Sequence, residues 1–135
     1  MEAIKRFFKR DQFAAYCGIE LLDVREGYAR VKMEIKDHHL NGIGIVHGGV
    51  LFTVADLAFA AASNSHGTVA VSINAHISNV KSSSAGTIYA EARETSLSHK
   101  IATYTVEIKN DGGDLLAIFE GMVYRKKDPI DLSNV

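Results

Sequence analysis

The chain has 135 residues, of which 47% are apolar, and its formal net charge at pH 7 is -1. This length predicts a single domain over residues 1–135, with enough apolar side chains for a core. The near-neutral charge disfavours nucleic acid as the main partner, because phosphate binding normally requires a basic excess. Cys17 is the only cysteine, which excludes an intrachain disulfide and a cluster of thiolate metal ligands.

The amino-terminal residues predict a cytoplasmic protein. Residues 1–10, MEAIKRFFKR, contain neither a long apolar run nor the small-residue cleavage site of a signal peptide. The most apolar segment, residues 46–62, is shorter than the roughly 20 residues that a membrane-spanning helix requires. We therefore expect no membrane partner.

The first half of the chain predicts two helices and two strands. An amphipathic pattern over residues 3–13 indicates a short helix, and residues 19–24 indicate a strand. Apolar and polar residues alternate from Ala29 to Ile35, which is typical of a half-buried strand. After a glycine-rich loop, the alanine-rich residues 48–65 have almost no polar stripe and predict a long buried helix.

Four strands are predicted after this central helix. In the first, residues 69–78, simple alternation places Ser72, Asn74 and His76 on one face. The other strands are predicted over residues 87–96, 101–109 and 115–124, with a hairpin signal at residues 110–113. This order of elements predicts an α+β fold, in which a curved antiparallel sheet of about six strands wraps around the long helix.

Asp56 is the only charged residue of the central helix. Because burial of an unpaired carboxylate is costly, we expect this group to be hydrogen-bonded or to have a raised pKa. Acids of this kind in clefts are candidates for catalysis. A structural aspartate at a contact between subunits would explain the same pattern, and the pattern alone does not decide between the two.

The run His47-Gly48-Gly49 directly precedes the helix. Free N–H groups at a helix start stabilise negative charge, such as the oxyanion that forms when a carbonyl is attacked. Glycines there also let a ligand approach the backbone closely. A loop that only turns the chain tightly would contain the same residues.

Taken together, the pattern H-L-N-G-x-G-x-x-H-G-G over residues 39–49, followed by Asp56, resembles the signature of the hotdog-fold thioesterases. It is most similar to the PaaI-like branch, which is named for phenylacetic acid degradation. The resemblance covers nearly the whole chain and includes residues 72–74 and 113–121. It implies hydrolysis of acyl-CoA, including aromatic or phenylacetyl-type esters, to a free acid and CoA. It further implies that no cofactor or metal is required and that the chain forms a homodimer, which pairs into a homotetramer.

The resemblance also assigns roles to individual residues. Asp56 matches the catalytic carboxylate, as general base or nucleophile, and the Gly48 N–H matches the donor that polarises the thioester carbonyl. Asn41 matches the asparagine that holds the carbonyl or the attacking water. His47 is expected to orient the loop or the sulfur side of the thioester. Ser72 is expected to hold the attacking water through its hydroxyl. Five more residues are expected to bind substrate: Gly49, Asn64, Asn74, Lys81 and Lys100.

Related chains often carry Arg-Pro where this chain has Lys81-Ser82. The departure leaves the ligands of the CoA phosphates open. Lys81, Lys100 and Arg125 are candidates, because lysine and arginine can meet phosphate oxygens. Each of them could equally be a solvated surface charge.

The spacing of Gly48 and Asp56 predicts a site shared between subunits. Eight residues separate them, which is about 12 Å along a helix. A base must come within about 3 Å of the attacking water, which itself lies close to the carbonyl. Two antiparallel helices would bring Gly48 of one chain near Asp56 of the other, so we expect two sites per dimer.

The sequence is also compatible with two other functions. One is a hydratase or dehydratase of acyl thioesters, which would need a histidine–acid pair such as His47 with Asp56. The other is an acyl-CoA-binding module without catalytic activity. A metal enzyme is not expected, because the six histidines show no HExxH spacing and have no cysteine partners.

Overall fold

The computed structural model describes residues 1–135. Two short helices, α1 (Glu2–Phe8) and α2 (Gln12–Cys17), precede the strands β1 (Ile19–Arg25) and β2 (Tyr28–Glu34). A single 3-10 turn at Asp37–His39 leads to the long helix α3 (Gly48–Ser63). The remaining strands are β3 (Thr68–Asn79), β4 (Thr87–Leu97), β5 (Ile101–Asn110) and β6 (Leu115–Pro129). None of the helices combines the length and the apolar character needed to cross a lipid bilayer.

The six strands form one antiparallel sheet that wraps around α3. Their order is β1-β2-β4-β5-β6-β3, so that β1 and β3 are the two edge strands. Phe59 of α3 packs against Tyr104 and Phe119 of the sheet, with ring centroids 5.7 and 5.4 Å apart. A Cβ added to Gly121 would lie 2.6 Å from the Phe59 ring, so the close approach of helix and sheet requires glycine there. The predicted α+β fold is confirmed.

The amino-terminal segment differs from the prediction of one helix over residues 3–13. The chain forms two helices, because Asp11 begins a new one: its carboxylate accepts a hydrogen bond of 2.9 Å from the Ala14 N–H. The second helix ends at Gly18, whose φ of 79° is in the left-handed region.

The central helix ends at Ser63, two residues before the predicted end. Asn64 follows it, and its side chain donates to the Ala60 carbonyl at 2.8 Å and accepts from the Ala70 N–H at 3.0 Å. These two bonds connect the end of α3 to the start of β3. They satisfy both polar ends of the Asn64 side chain and the N–H of Ala70.

A bulge in β3 changes the predicted distribution of its side chains. Ser72 pairs with Val123, whereas Asn74 pairs with Met122, so Ile73 is the extra residue. Val123 is buried against the helix layer and Met122 is on the outer face. The prediction that Ser72 shares a face with Asn74 and His76 is therefore wrong, because alternation is interrupted between them.

Candidate active site

The start of α3 presents one free amide. His47 is the residue before the helix, and its Nδ1 accepts a hydrogen bond of 2.9 Å from the Gly49 N–H. The next two amides, of Val50 and Leu51, both donate to the His47 carbonyl. The N–H of Gly48 makes no hydrogen bond within the chain, and Gly48 is exposed. A ligand oxygen at this point would meet one amide donor at the positive end of the helix dipole.

The loop before the helix is held by Asn41. Its side-chain oxygen accepts hydrogen bonds from the N–H groups of Ile43 and Ile45, at 3.1 and 3.3 Å. Because two donors face that oxygen, the orientation of the amide is determined, and its NH₂ group makes no bond within the chain. The loop is attached to the sheet side by a bond of 2.8 Å from the Val46 N–H to the Ser83 carbonyl.

His39 anchors the same loop through hydrogen bonds to backbone groups outside it. Its Nδ1 accepts from the Lys36 N–H at 2.9 Å, and its Nε2 lies 2.8 Å from the Cys17 carbonyl oxygen. His39 is 2% exposed, and this burial lowers the pKa of its imidazole. Because Nδ1 accepts a hydrogen bond it carries no proton, which leaves the ring proton on Nε2, facing the Cys17 carbonyl. The ring stabilises the loop and is not a candidate for proton transfer.

Asp56 is exposed on a single chain, which corrects the prediction that its own chain buries it. It belongs to a stripe of α3 that is not fully buried, formed by Gly49, Thr53, Asp56 and Ala60. The crowding of the carboxyl by surrounding protein raises its pKa, and the negative charge of Asp11 raises that pKa further. A carboxylate with a raised pKa is a stronger base than a free one, as general-base chemistry requires.

The predicted residues fall into two groups along α3. His47, Gly48 and Gly49 form the start of the helix, and Asn41 lies in the loop that leads into it. Asp56 is eight residues further along, about 12 Å by the rise of an α-helix. Within one chain, the amide donor and the carboxylate are thus too far apart for one carbonyl.

Ser72 is on the inner face of β3, which is the face that α3 covers, and it is exposed at the open sheet edge. Asn74 is on the outer face, where it lines a groove of 440 Å³ with His76 and Glu120. A role of Asn74 in substrate binding stays a prediction and would require the substrate to reach that outer face.

The remaining predicted ligands have different surroundings. Both polar ends of the Asn64 amide are engaged within the chain. Lys81 pairs with Asp114, with 2.8 Å between Nζ and the carboxylate oxygen. Lys100 lines a groove of 610 Å³ that contains four further basic side chains. These are His99, Arg125, Lys126 and Lys127.

A polar group that the sequence analysis did not identify lies next to Gly48. A Cβ added to Gly48 would be 3.7 Å from Nδ2 of Asn79, the last residue of β3. Alternation from Ala75 through Ile77 already places Asn79 on the inner face of β3, but its proximity to Gly48 depends on how α3 packs on the sheet and could not be predicted from the sequence.

No group of three or more histidine, cysteine, aspartate or glutamate side chains is arranged to hold a metal ion. The polar atoms around the start of α3 are amides and one imidazole that caps the helix. This arrangement can bind an oxygen atom that acquires negative charge, while a carboxylate elsewhere on the same helix can accept a proton.

Comparison with known proteins finds relatives that share both the sequence pattern and the fold of this chain. The sequence model of the thioesterase superfamily matches residues 43–117. The acyl-coenzyme A thioesterase PaaI of Escherichia coli is 35% identical over 119 residues, covering 87% of this chain and 85% of that protein. The solved structure of E. coli PaaI, from the phenylacetic acid degradation operon, aligns with a TM-score of 0.91 and 33% identity over 96% of this chain and 94% of its own.

Two further proteins are similar to this chain. A protein of Archaeoglobus fulgidus, provisionally named an esterase, is 42% identical over 127 residues, covering 93% of this chain and 82% of its own length. A Streptococcus pneumoniae protein described as a thioesterase was solved with coenzyme A. It aligns with a TM-score of 0.85 over 93% of this chain and 98% of its own, at 21% identity, and therefore shows a shared fold.

Proposed function

Since the chain belongs to the thioesterase superfamily and is a thioester hydrolase with the PaaI-like hotdog fold, we propose that it hydrolyses acyl-CoA to a free acid and CoA. The observation that carries this proposal is the free Gly48 N–H at the start of the helix that also bears Asp56. The E. coli relative is named for acyl-CoA hydrolysis, and a protein of the same fold was solved with coenzyme A.

In the proposed reaction, the thioester oxygen accepts hydrogen bonds from the Gly48 N–H and the Asn41 NH₂ group. Water attacks the carbonyl carbon while Asp56 takes its proton, and the C–S bond breaks to release the CoA thiolate, which acquires a proton. Alternatively, the Asp56 carboxylate attacks first and water then cleaves the anhydride. Each route balances with water alone, so we propose that no cofactor is needed.

We propose that the site is formed between two chains. Strand β3 is an open edge with exposed apolar side chains, among them Val71 and Ile73 at 43% and 54% exposure. An unprotected apolar edge favours pairing with another strand. Antiparallel pairing of two β3 strands about a two-fold axis would place the two α3 helices side by side, with Gly48 of one near Asp56 of its partner. Pairing of such dimers into a tetramer stays a prediction.

The same pairing supports a location for the CoA phosphates. The basic groove with Lys100 lies at the start of β3, which is about 35 Å from Asn79 at the other end by the rise of a strand. Antiparallel pairing reverses one strand, so the groove of one chain would be next to the helix start of the other. Lys100, Lys126 and Lys127 form no ion pair within the chain and are available to phosphate oxygens.

For the acyl group, we propose an aromatic ester of the phenylacetyl type. This rests on the similarity to E. coli PaaI, which is encoded in the phenylacetic acid degradation operon. A groove of 320 Å³ lies between the amino-terminal helices and Leu57, the residue that follows Asp56 in the sequence. Six of its ten lining residues are apolar.

A panel of aliphatic and aromatic acyl-CoAs, assayed with the wild type and Asp56→Asn, tests the activity. The variant cannot accept a proton at that position, and we expect a loss in kcat of about 10²- to 10⁴-fold. If the wild type cleaves none of the esters, or if Asp56→Asn cleaves them equally well, the proposed function is wrong.

Removal of the donor is tested with Gly48→Pro. Proline is tolerated at the first residue of a helix, where it removes only the N–H. The preceding His47 already has φ -61° and ψ 136°, which is the conformation that proline favours in its predecessor. We expect a loss of about 10²-fold or more in kcat. Gly48→Ala, which keeps the N–H, separates this loss from the effect of added bulk.

The shared site can be tested by complementation between the two inactive variants. In a heterodimer of Asp56→Asn with Gly48→Pro, one site would receive intact Asp56 and intact Gly48, and the other site neither. Random pairing of equal amounts would restore about a quarter of wild-type activity, because half the dimers would each hold one intact site. If each site were formed by one chain, mixing would restore none.

A further inference from the structure

Asn79 offers an unused side-chain amide at the proposed carbonyl site. It ends β3 on the inner face of the sheet, where it pairs with the buried Ala117. Its Nδ2 would be in van der Waals contact with a Cβ at Gly48, at 3.7 Å. Neither the oxygen nor the nitrogen of this side chain makes a hydrogen bond within the chain. The group is free to donate and to accept at the same time.

The position of Asn79 relative to Gly48 is set within one chain. The Val80 N–H donates to the Leu116 carbonyl at 2.8 Å directly after Asn79. The loop before the helix is tied to the following turn through the Val46 N–H and the Ser83 carbonyl, also at 2.8 Å. The end of β3 and the start of α3 are therefore connected through hydrogen bonds within one chain.

A side-chain amide matches a secondary amide, since each can donate one hydrogen bond to the other and accept one in return. In an acyl-CoA, the first amide of the thiol arm follows the sulfur after two methylene groups. Its nitrogen is about 5 Å from the thioester carbonyl carbon when the arm is extended. With the thioester oxygen on the Gly48 N–H, that amide falls within reach of Asn79.

We infer that Asn79 binds the first amide of the thiol arm and so positions the thioester on the Gly48 N–H. The inference rests on the proposed function and adds a residue that selects for the CoA side of the substrate. It implies a preference for thioesters whose thiol carries an amide at that distance. Asn41 remains the second donor to the carbonyl itself.

The test compares two thioesters of one acyl group: one of N-acetylcysteamine, which has the amide, and one of propanethiol, which lacks it. We expect Asn79→Ala to lower kcat/KM about tenfold for the N-acetylcysteamine ester, mainly through KM, because a hydrogen-bonded substrate group is lost. The propanethiol ester should change by less than twofold. The matched control is Ser78→Ala, the preceding residue, which pairs with Ile118 on the outer face.

Three outcomes would overturn the inference. An equal loss on both esters would mean that Asn79 acts on the carbonyl or on folding, and circular dichroism of the variant separates these two. No loss on either ester would mean that the Asn79 side-chain amide does not contact the substrate. An equal loss in Ser78→Ala would mean that this end of β3 is only structurally sensitive. If the wild type cleaves neither ester nor any acyl-CoA, the proposed function itself fails.

Discussion

Ser72 and Asn74 lie on opposite faces of β3, although a single residue separates them. In a regular strand, residues two apart share a face. Here Ile73 is accommodated in a bulge, so Ser72 faces the α3 layer and Asn74 faces away. The bulge therefore places one hydroxyl on the side of the sheet that also contains Asp56.

Ser72→Ala is expected to reduce kcat about tenfold, because the attacking water would lose one hydrogen bond of ordinary strength. Ser78→Ala is the matched control, since it removes the same hydroxyl from the outer face of the same strand. Steady-state kinetics with one acyl-CoA checks both. Equal rates for the Ser72 variant and the wild type would show that this hydroxyl takes no part.

Asp56→Asn is expected to make the protein more stable at neutral pH while it inactivates it. The pKa of Asp56 is raised in the folded chain, so the folded state holds this proton more tightly than the unfolded state. Stability then falls as pH rises from the ordinary aspartate pKa through the raised one, and the loss is complete above it. Urea unfolding at a series of pH values should show that the unfolding free energy of the variant increases relative to that of the wild type as the pH rises through this window. Parallel curves would contradict the assignment.

Asp11→Asn should move the acid limb of the kcat/KM profile to lower pH. The charge of Asp11 helps to raise the pKa of Asp56, so its removal lets Asp56 ionise in more acidic solution. Asparagine also caps helices well, and α2 should therefore be retained. Asp11→Ala would lose the cap as well and is expected to cost about 1 kcal/mol in unfolding free energy. An unshifted profile for Asp11→Asn would show that the two carboxyls are not coupled.

Ile73→Lys is expected to separate the proposed dimer and to abolish activity together with it. A lysine on an exposed sheet edge opposes pairing with another strand. Leu97→Lys is the control, because Leu97 is similarly exposed, at 47% against 54%, but lies at the end of β4. Light scattering gives the mass and an acyl-CoA assay gives the activity. A monomeric Ile73→Lys that still cleaves thioesters would contradict the shared site.

The fold could be predicted from the sequence because its signals are local. The alternation in β2 and the apolar stretch of α3 each predict an element close to its observed bounds. The break between α1 and α2 was missed, since the capping role of Asp11 competes with a continuous amphipathic pattern over the same residues.

The site was less predictable because it depends on long-range contacts. The bulge at Ile73 exists only through the pairing of β3 with β6, and it alone determines which residues share a face with Ser72. Asp56 was expected to be buried, but the helix sequence does not show which side the sheet leaves uncovered. The proximity of Asn79 to Gly48 joins segments that are about thirty residues apart.

The cap at the start of α3 determines what the His47 ring can do. Because Nδ1 accepts the Gly49 N–H, a neutral imidazole must carry its proton on Nε2, which selects one tautomer. The ring can offer that hydrogen to a ligand, but it cannot take up another without releasing the amide of Gly49. In the proposed reaction, proton uptake from water is therefore assigned to the Asp56 carboxylate, and a hydratase or dehydratase would lack the histidine base that it needs beside that acid.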